Sequence, residues 1–178
     1  MSAVVTRYSQ ALLDVAQEAK KSLTTLSDHL SLWLQVSAQS PELKQALETP
    51  NIDAKEKAEI LNQIGGRLGL DPLILNLLKV LSQNQRYAHV GSIALEFKRL
   101  SLAAEGKLLG ELTSADPLSA MELTEITKAA SKKLGRPVVF VQKTDPALLG
   151  GFVAKVAETT FDGSIRGQLN RLKTQLLS

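Results

Sequence analysis

The chain contains no cysteine, which excludes disulfides, thiolate metal sites and cysteine nucleophiles, and suits a reducing compartment. Aromatic residues make up only 4% of its 178 residues. The interior must therefore be built from Leu, Ala, Val and Ile, a balance that fits helices better than an aromatic-rich all-β fold. The two histidines, His29 and His89, are far apart with no second histidine at ligand spacing, so they read as surface or boundary residues. No apolar run approaches the roughly 20 residues needed to span a bilayer. Met1–Tyr8 lacks a basic segment followed by an apolar one, so no secretory signal is expected. Excess charge is scarce as well. The net charge is +3, with 11 Lys/Arg against 11 Asp/Glu in residues 1–105 and 10 against 7 in residues 106–178. In that second part only Lys132-Lys133 are adjacent cations, whereas nucleic-acid binders show a clustered basic face.

What is present is helical periodicity. Val4, Tyr8, Ala11, Leu12, Val15, Ala16 and Ala19 form one apolar stripe, and Leu23, Leu26, Leu30, Trp33 and Leu34 form a second. Trp33 falls on that stripe and reads as core. Ser40-Pro41-Glu42 opens a short third helix that Thr49-Pro50 stops. Asp53-Ala54-Lys55-Glu56 has capping-box spacing for a fourth, expected to end at Gly65-Gly66. Asp71-Pro72 opens a fifth, apolar on nearly every side, which places it centrally. A sixth carries Val90, Ile93, Ala94, Phe97, Leu100 and Ala104 and ends at Gly106. Residues 1–105 are thus expected to be an all-α bundle of six helices.

The period changes after Gly106. Lys107–Ser114 reads as a strand, with Gly110 marking a bulge or a close approach. Ser119-Ala-Met-Glu122 is a capping box for a helix that Gly135 closes. Val138–Val141 reads as a strand buried on both faces. Gly151–Val156 and Thr159–Phe161 read as a hairpin. Asp162-Gly163 then turns into a last helix capped by Ser164, with Ile165, Leu169, Leu172 and Leu176 as its stripe. The fold class is α+β: the helical bundle, 1–105, followed by a small α/β domain, 106–178. So small a unit buries limited area and is expected to lean on a partner or on the bundle.

None of the candidate sites carries chemistry. Gly150-Gly151 is followed by Phe152 and Val153, not by the Lys-Ser or Lys-Thr of a phosphate loop, so it reads as a close backbone approach. Asp162 before a helix start is accounted for by the dipole. Arg166 and Arg171 lie on the polar side of the last helix, facing solvent or a partner. No catalytic residue, cofactor or metal site is expected.

Three motifs in order carry a family resemblance. Tyr8-Ser-Gln-Ala11-Leu12-Leu-Asp-Val-Ala16 resembles an opening helix with a Tyr-Ala-x-Ala-Leu pattern, from which Ser9 departs. Leu81-x-x-Asn84-x-Arg86, followed by Ile93, Phe97, Leu100 and Gly106, resembles that family's bridge between domains. Leu149-Gly150-Gly151, Phe161-Asp162-Gly163-Ser164-Ile165-Arg166 and Leu169-x-x-Leu172 resemble its C-terminal signature. The family is that of F-type ATP synthase delta subunits, bacterial counterparts of oligomycin-sensitivity-conferring protein. Ala157 departs from it, standing where the family has Gly and where a type I′ turn would need φ > 0.

The resemblance implies a non-catalytic stator connector between the catalytic head and the peripheral stalk, present once per complex. It would lie at the cytoplasmic face of a bacterial inner membrane and touch the membrane only through the complex. An alpha-subunit N-terminal helix would lie in a groove between the first and fifth helices, where Tyr8, Ala11 and Leu12 are expected to face Leu77, Val80 and Leu81. The b-subunit stalk would dock on residues 106–178, with Arg166 and Arg171 as contacts, and Gly150, Gly151, Asp162, Gly163 and Ser164 would be structural. The alternative reading is a small nucleic-acid-binding adaptor, motivated by the basic second part.

Overall fold

The computed structural model describes residues 2–49, 52–148, 150–167 and 169. The chain is α+β and divides into two compact units, Met1–Ser101 and Leu102–Ser178. The division falls in the last turns of a helix, a few residues before the Gly106 at which the sequence pattern changes.

The first unit runs α1 (Ala3–Glu18), α2 (Leu23–Gln39), α3 (Pro41–Glu48), α4 (Ala54–Arg67) and α5 (Pro72–Gln83). A 3₁₀ turn, Tyr87–His89, leads into α6 (Val90–Ala104). Local chemistry sets several of the starts. Ser22, Ser40 and Asp71 accept hydrogen bonds from Thr25, Leu43 and Leu73 N–H, and prolines follow Ser40 and Asp71 at the first helical position. Asp53 makes no such side-chain bond, so the expected capping box is not formed; Glu56 still lies in the first turn, where the helix dipole favours it.

Gly65-Gly66 do not end α4. The helix runs through them to Arg67, and Gly69, at φ 64, takes the left-handed position. Gly65 is needed for packing instead, because a Cβ there would collide with the Leu75 side chain of α5.

Trp33, Phe97, Leu26, Leu30, Leu61, Ile74, Leu78, Leu81 and Ile93 form the fully buried centre of this unit. The stripe expected on α1 is rotated. Its core face is Val5, Ser9, Leu12, Leu13 and Ala16, while Tyr8, Ala11 and Val15 lie on the neighbouring face. Ser9 is tolerated in the core because its Oγ donates to Val5 O at 2.7 Å and is 3.4 Å from Ile93 O of α6. Helix α5 explains its all-round apolarity by serving three neighbours. Ile74, Leu78 and Leu81 enter the core, Leu75 packs over Gly65, and Leu73, Leu77 and Val80 stay half-buried on the third side.

The second unit is a four-stranded mixed sheet: β1 (Leu108–Ser114), β2 (Val138–Thr144), β3 (Phe152–Val156) and β4 (Thr159–Asp162), in the order β2-β1-β3-β4. Helix α7 (Ala120–Leu134) connects β1 to β2, which pair in parallel; the other pairs are antiparallel. Ser119 and Glu122 complete their capping box, and Gly135 closes α7 at φ 67. Strand β2 is at an edge, so it is not buried on both faces: only Val138 is buried, and Val139, Phe140 and Val141 are half-buried. Gly110, in the central strand, is a close approach. A Cβ there would come within 2.6 Å of the Phe140 ring and 2.8 Å of Val156.

The β3–β4 turn keeps two residues, Ala157 and Glu158, between the paired Val156 and Thr159. Of the two, Ala157 alone has positive φ, at 50°, so the turn is not type I′, which needs it at both positions.

Candidate docking surfaces

Helices α1 and α5 run antiparallel and are tied at both ends. Lys21 Nζ lies 2.8 Å from Asp71 Oδ2, and Asn84 Nδ2 lies 3.4 Å from Tyr8 Oη at the other end. Burial alone would raise the Asp71 carboxyl. The hydrogen bond and charge of Lys21, with the Leu73 N–H and His29, outweigh it and hold the carboxyl below its ordinary value. His29 has its own task here, since its Nδ1 accepts the Asp71 backbone N–H at 3.0 Å.

Between these ties lies a groove of about 220 Å³, lined by Tyr8, Ala11, Leu12 and Val15 from α1 and by Leu73, Asn76, Leu77 and Val80 from α5. Five of the six residues expected to meet here therefore line it. Leu81 does not, being fully buried in the core behind it. Val15, Leu73 and Asn76 were not among the expected residues. Helical spacing could have found all three, because Val15 is one turn from Ala11, Leu73 one turn from Leu77 and Asn76 one turn from Val80. Val15 is 44% exposed, so α1 carries an apolar face that the chain's own core does not use.

In the second unit the expected motif residues form a tight corner. Asp162 Oδ1 accepts from Ser164 N at 2.9 Å and from Ser164 Oγ at 2.6 Å, and Ser164 Oγ accepts from Gly167 N at 3.0 Å. Gly163 N donates to Phe152 O at 2.9 Å, and Ile165 N to Gly150 O at 3.1 Å. Gly150 and Gly151 both have positive φ, 143° and 79°, and a Cβ on Gly151 would strike the Gly163 carbonyl oxygen. Two chain segments touch backbone to backbone there, which accounts for the glycine pair without a phosphate.

Arg166 is exposed. Leu149, Arg171, Leu172 and Leu176 lie outside the described residues. The remaining stripe members of the last helix are exposed, Ile165 at 46% and Leu169 at 62%, with the Ile165 side chain lying over Gly150. An apolar cavity of about 260 Å³, which the sequence reading did not anticipate, lies between α7 (Ile126, Ala129, Ala130) and the sheet (Phe152, Ala154, Phe161).

Among the described residues no group of three His, Cys, Asp or Glu side chains could hold a metal ion. Nor is any helix among them long and apolar enough to cross a membrane. The groove between α1 and α5 and the cavity beside α7 are apolar surfaces that the described residues leave open.

The description "ATP synthase delta (OSCP) subunit" matches residues 4–176. The chain is 34% identical to ATP synthase subunit delta of Koribacter versatilis (strain Ellin345), over 99% of this chain and 98% of that protein. It is 32% identical to ATP synthase subunit delta of Solidesulfovibrio magneticus, over 97% and 95%. Its fold is similar to a chain in the cryo-EM structure of the Toxoplasma gondii mitochondrial ATP synthase hexamer, with a TM-score of 0.74 at 27% identity and 99% of each chain covered. The chain belongs to the ATP synthase delta (OSCP) family. It is a non-catalytic stator component of the peripheral stalk of an F-type ATP synthase.

Proposed function

We propose that the chain joins the catalytic head to the stalk through one partner on each unit. The six helices of the first unit act as a bundle that receives the N-terminal helix of an alpha subunit in the α1–α5 groove. The second unit receives the end of the b-subunit stalk. The observation that carries the first assignment is the groove itself: about two turns of mostly apolar side chains on two helices, lying between a tie at each end. An amphipathic helix buries such a surface by laying its apolar face into it, and nanomolar affinity would correspond to about −12 kcal/mol. One copy per complex at the cytoplasmic membrane face, reaching the membrane only through the assembly, completes the reading.

The substitution Val80→Asp sets a carboxylate on the groove wall, where its desolvation opposes a helix. Titrated calorimetrically with an alpha-subunit N-terminal peptide, the full chain with Val80→Asp should bind roughly 100-fold more weakly while keeping its helical circular dichroism. Unchanged affinity overturns the assignment. For the stalk, Arg166→Glu combined with Arg171→Glu should weaken capture of the b subunits and leave the alpha peptide untouched. Retained stalk binding removes those two residues from the contact.

A further inference from the structure

A backbone N–H at the start of a helix usually finds a hydroxyl, a carboxylate or a carbonyl. The Asp71 N–H finds an imidazole. His29, half-buried on α2, accepts it through Nδ1 at 3.0 Å, so the neutral ring carries its proton on Nε2. The bond spans 42 residues of chain and joins α2 to the residue that starts α5. Asp71 is also the meeting point of two further contacts. Its Oδ1 accepts the Leu73 N–H at 2.9 Å and so caps α5, and its Oδ2 lies 2.8 Å from Lys21 Nζ in the α1–α2 link. The charged groups that meet at His29 are therefore Lys21 and Asp71. In the adjoining segments Glu18, Lys20, Asp28 and Arg67 are exposed, and α5 carries no charge before Lys79.

We propose that this junction is a proton-sensitive latch: the α2–α5 bond exists only while His29 is neutral, and uptake of one proton by its ring releases the start of α5. An imidazolium has N–H on both ring nitrogens and accepts nothing. The Asp71 N–H, in a part-buried position, is then faced by a second donor. The same imidazolium is drawn to the Asp71 carboxylate, whose two oxygens already serve Leu73 and Lys21. One proton thus removes an acceptor from the backbone of Asp71 and adds a competitor for its side chain. Imidazole is the side chain that changes charge between about pH 5 and 8. The Ser22, Ser40 and Ser119 caps of the other helices rest on hydroxyls, which do not titrate there. What loosens is the first turn of α5, with Leu73 in it.

The experiment is a pH titration of the full chain by proton–nitrogen NMR, from about pH 8 to 5. At the alkaline end the His29 ring nitrogens should report the Nε2–H tautomer. As pH falls, the Asp71 amide should lose its hydrogen-bonded shift with the same midpoint as the His29 ring, and its exchange protection factor should drop about 10-fold. The substitution His29→Gln supplies a side chain that does not titrate and should abolish that step at Asp71, with His89 in the 3₁₀ turn still titrating as the internal control. An Nδ1–H tautomer overturns the proposal, because that nitrogen could not then accept. So does an Asp71 amide that stays put while His29 titrates, or a step that survives in His29→Gln. The wild-type midpoints decide by themselves should His29→Gln fail to fold.

Discussion

Trp33 donates its indole N–H to the hydroxyl of Tyr87 at 2.9 Å, joining the middle of α2 to the 3₁₀ turn before α6 inside the core. Both residues are buried, so each satisfies a polar atom that water cannot reach. Removing the acceptor with Tyr87→Phe leaves that N–H unpaired and should cost about 1–3 kcal/mol in chemical denaturation. A loss below a few tenths would mean that the bond is not part of the folded state in solution.

The same pair gives an alkaline signature. Burial pushes the Tyr87 hydroxyl above its ordinary 10.0, against the hydrogen bonds from Ser37 and Trp33 and with help from Glu48. Because the folded value is the higher one, its contribution to stability is complete below about pH 10 and is lost as pH rises through the folded value. Tyr87→Phe should therefore flatten the alkaline limb of a stability–pH curve.

Asp71 carries the opposite sign. Its folded pKa lies below the ordinary 3.8, so it contributes stability above that value that is lost as pH falls through the folded one. With Asp71→Asn, the difference from wild type should be present near neutrality and vanish in strong acid. A difference that persists undiminished would assign the effect to capping of α5 alone.

Gly151→Ala should be severe. It places a Cβ against the Gly163 carbonyl at a φ of 79°, combining left-handed strain of about 1–2 kcal/mol with an overlap that backbone must relieve. We expect a loss of about 3 kcal/mol in the second unit's transition, with the first unit's own transition unchanged.

Ala157→Gly should do the reverse. Ala157 sits at φ 50° in a two-residue hairpin, where glycine has no Cβ to strain. A gain of about 0.5–1 kcal/mol is expected, read as a rise in melting temperature. A fall would show that the turn tolerates alanine and that its unfolded-state restriction dominates.

Much of the architecture was legible because it is local. The helix starts at Ser40-Pro41, Asp71-Pro72 and Ser119–Glu122 could be read because a cap acts within three residues of itself. Where reading failed, the deciding atom was distant in sequence. Gly65-Gly66 looked like a helix end because nothing nearby reveals that Leu75 needs the space. Val138–Val141 looked doubly buried because β-branched runs do not say whether a strand is central or at an edge. Leu81 was expected in the groove and lies behind it: apolar on every side, α5 gives no local sign of which face meets the core.

Two properties were fixed by local pattern: the order of helices then sheet and, through the three motifs, the family to which the chain belongs. The first follows from composition and period, the second from the resemblance the motifs carry. Which apolar face of α1 is left over depends on packing, because two adjacent stripes on one helix are equally hydrophobic until the neighbours are in place. Val5, Ser9, Leu12 and Ala16 go to the core since α1 can bury one face against its own chain. Tyr8, Ala11 and Val15 are the remainder, and with α5 they make the groove.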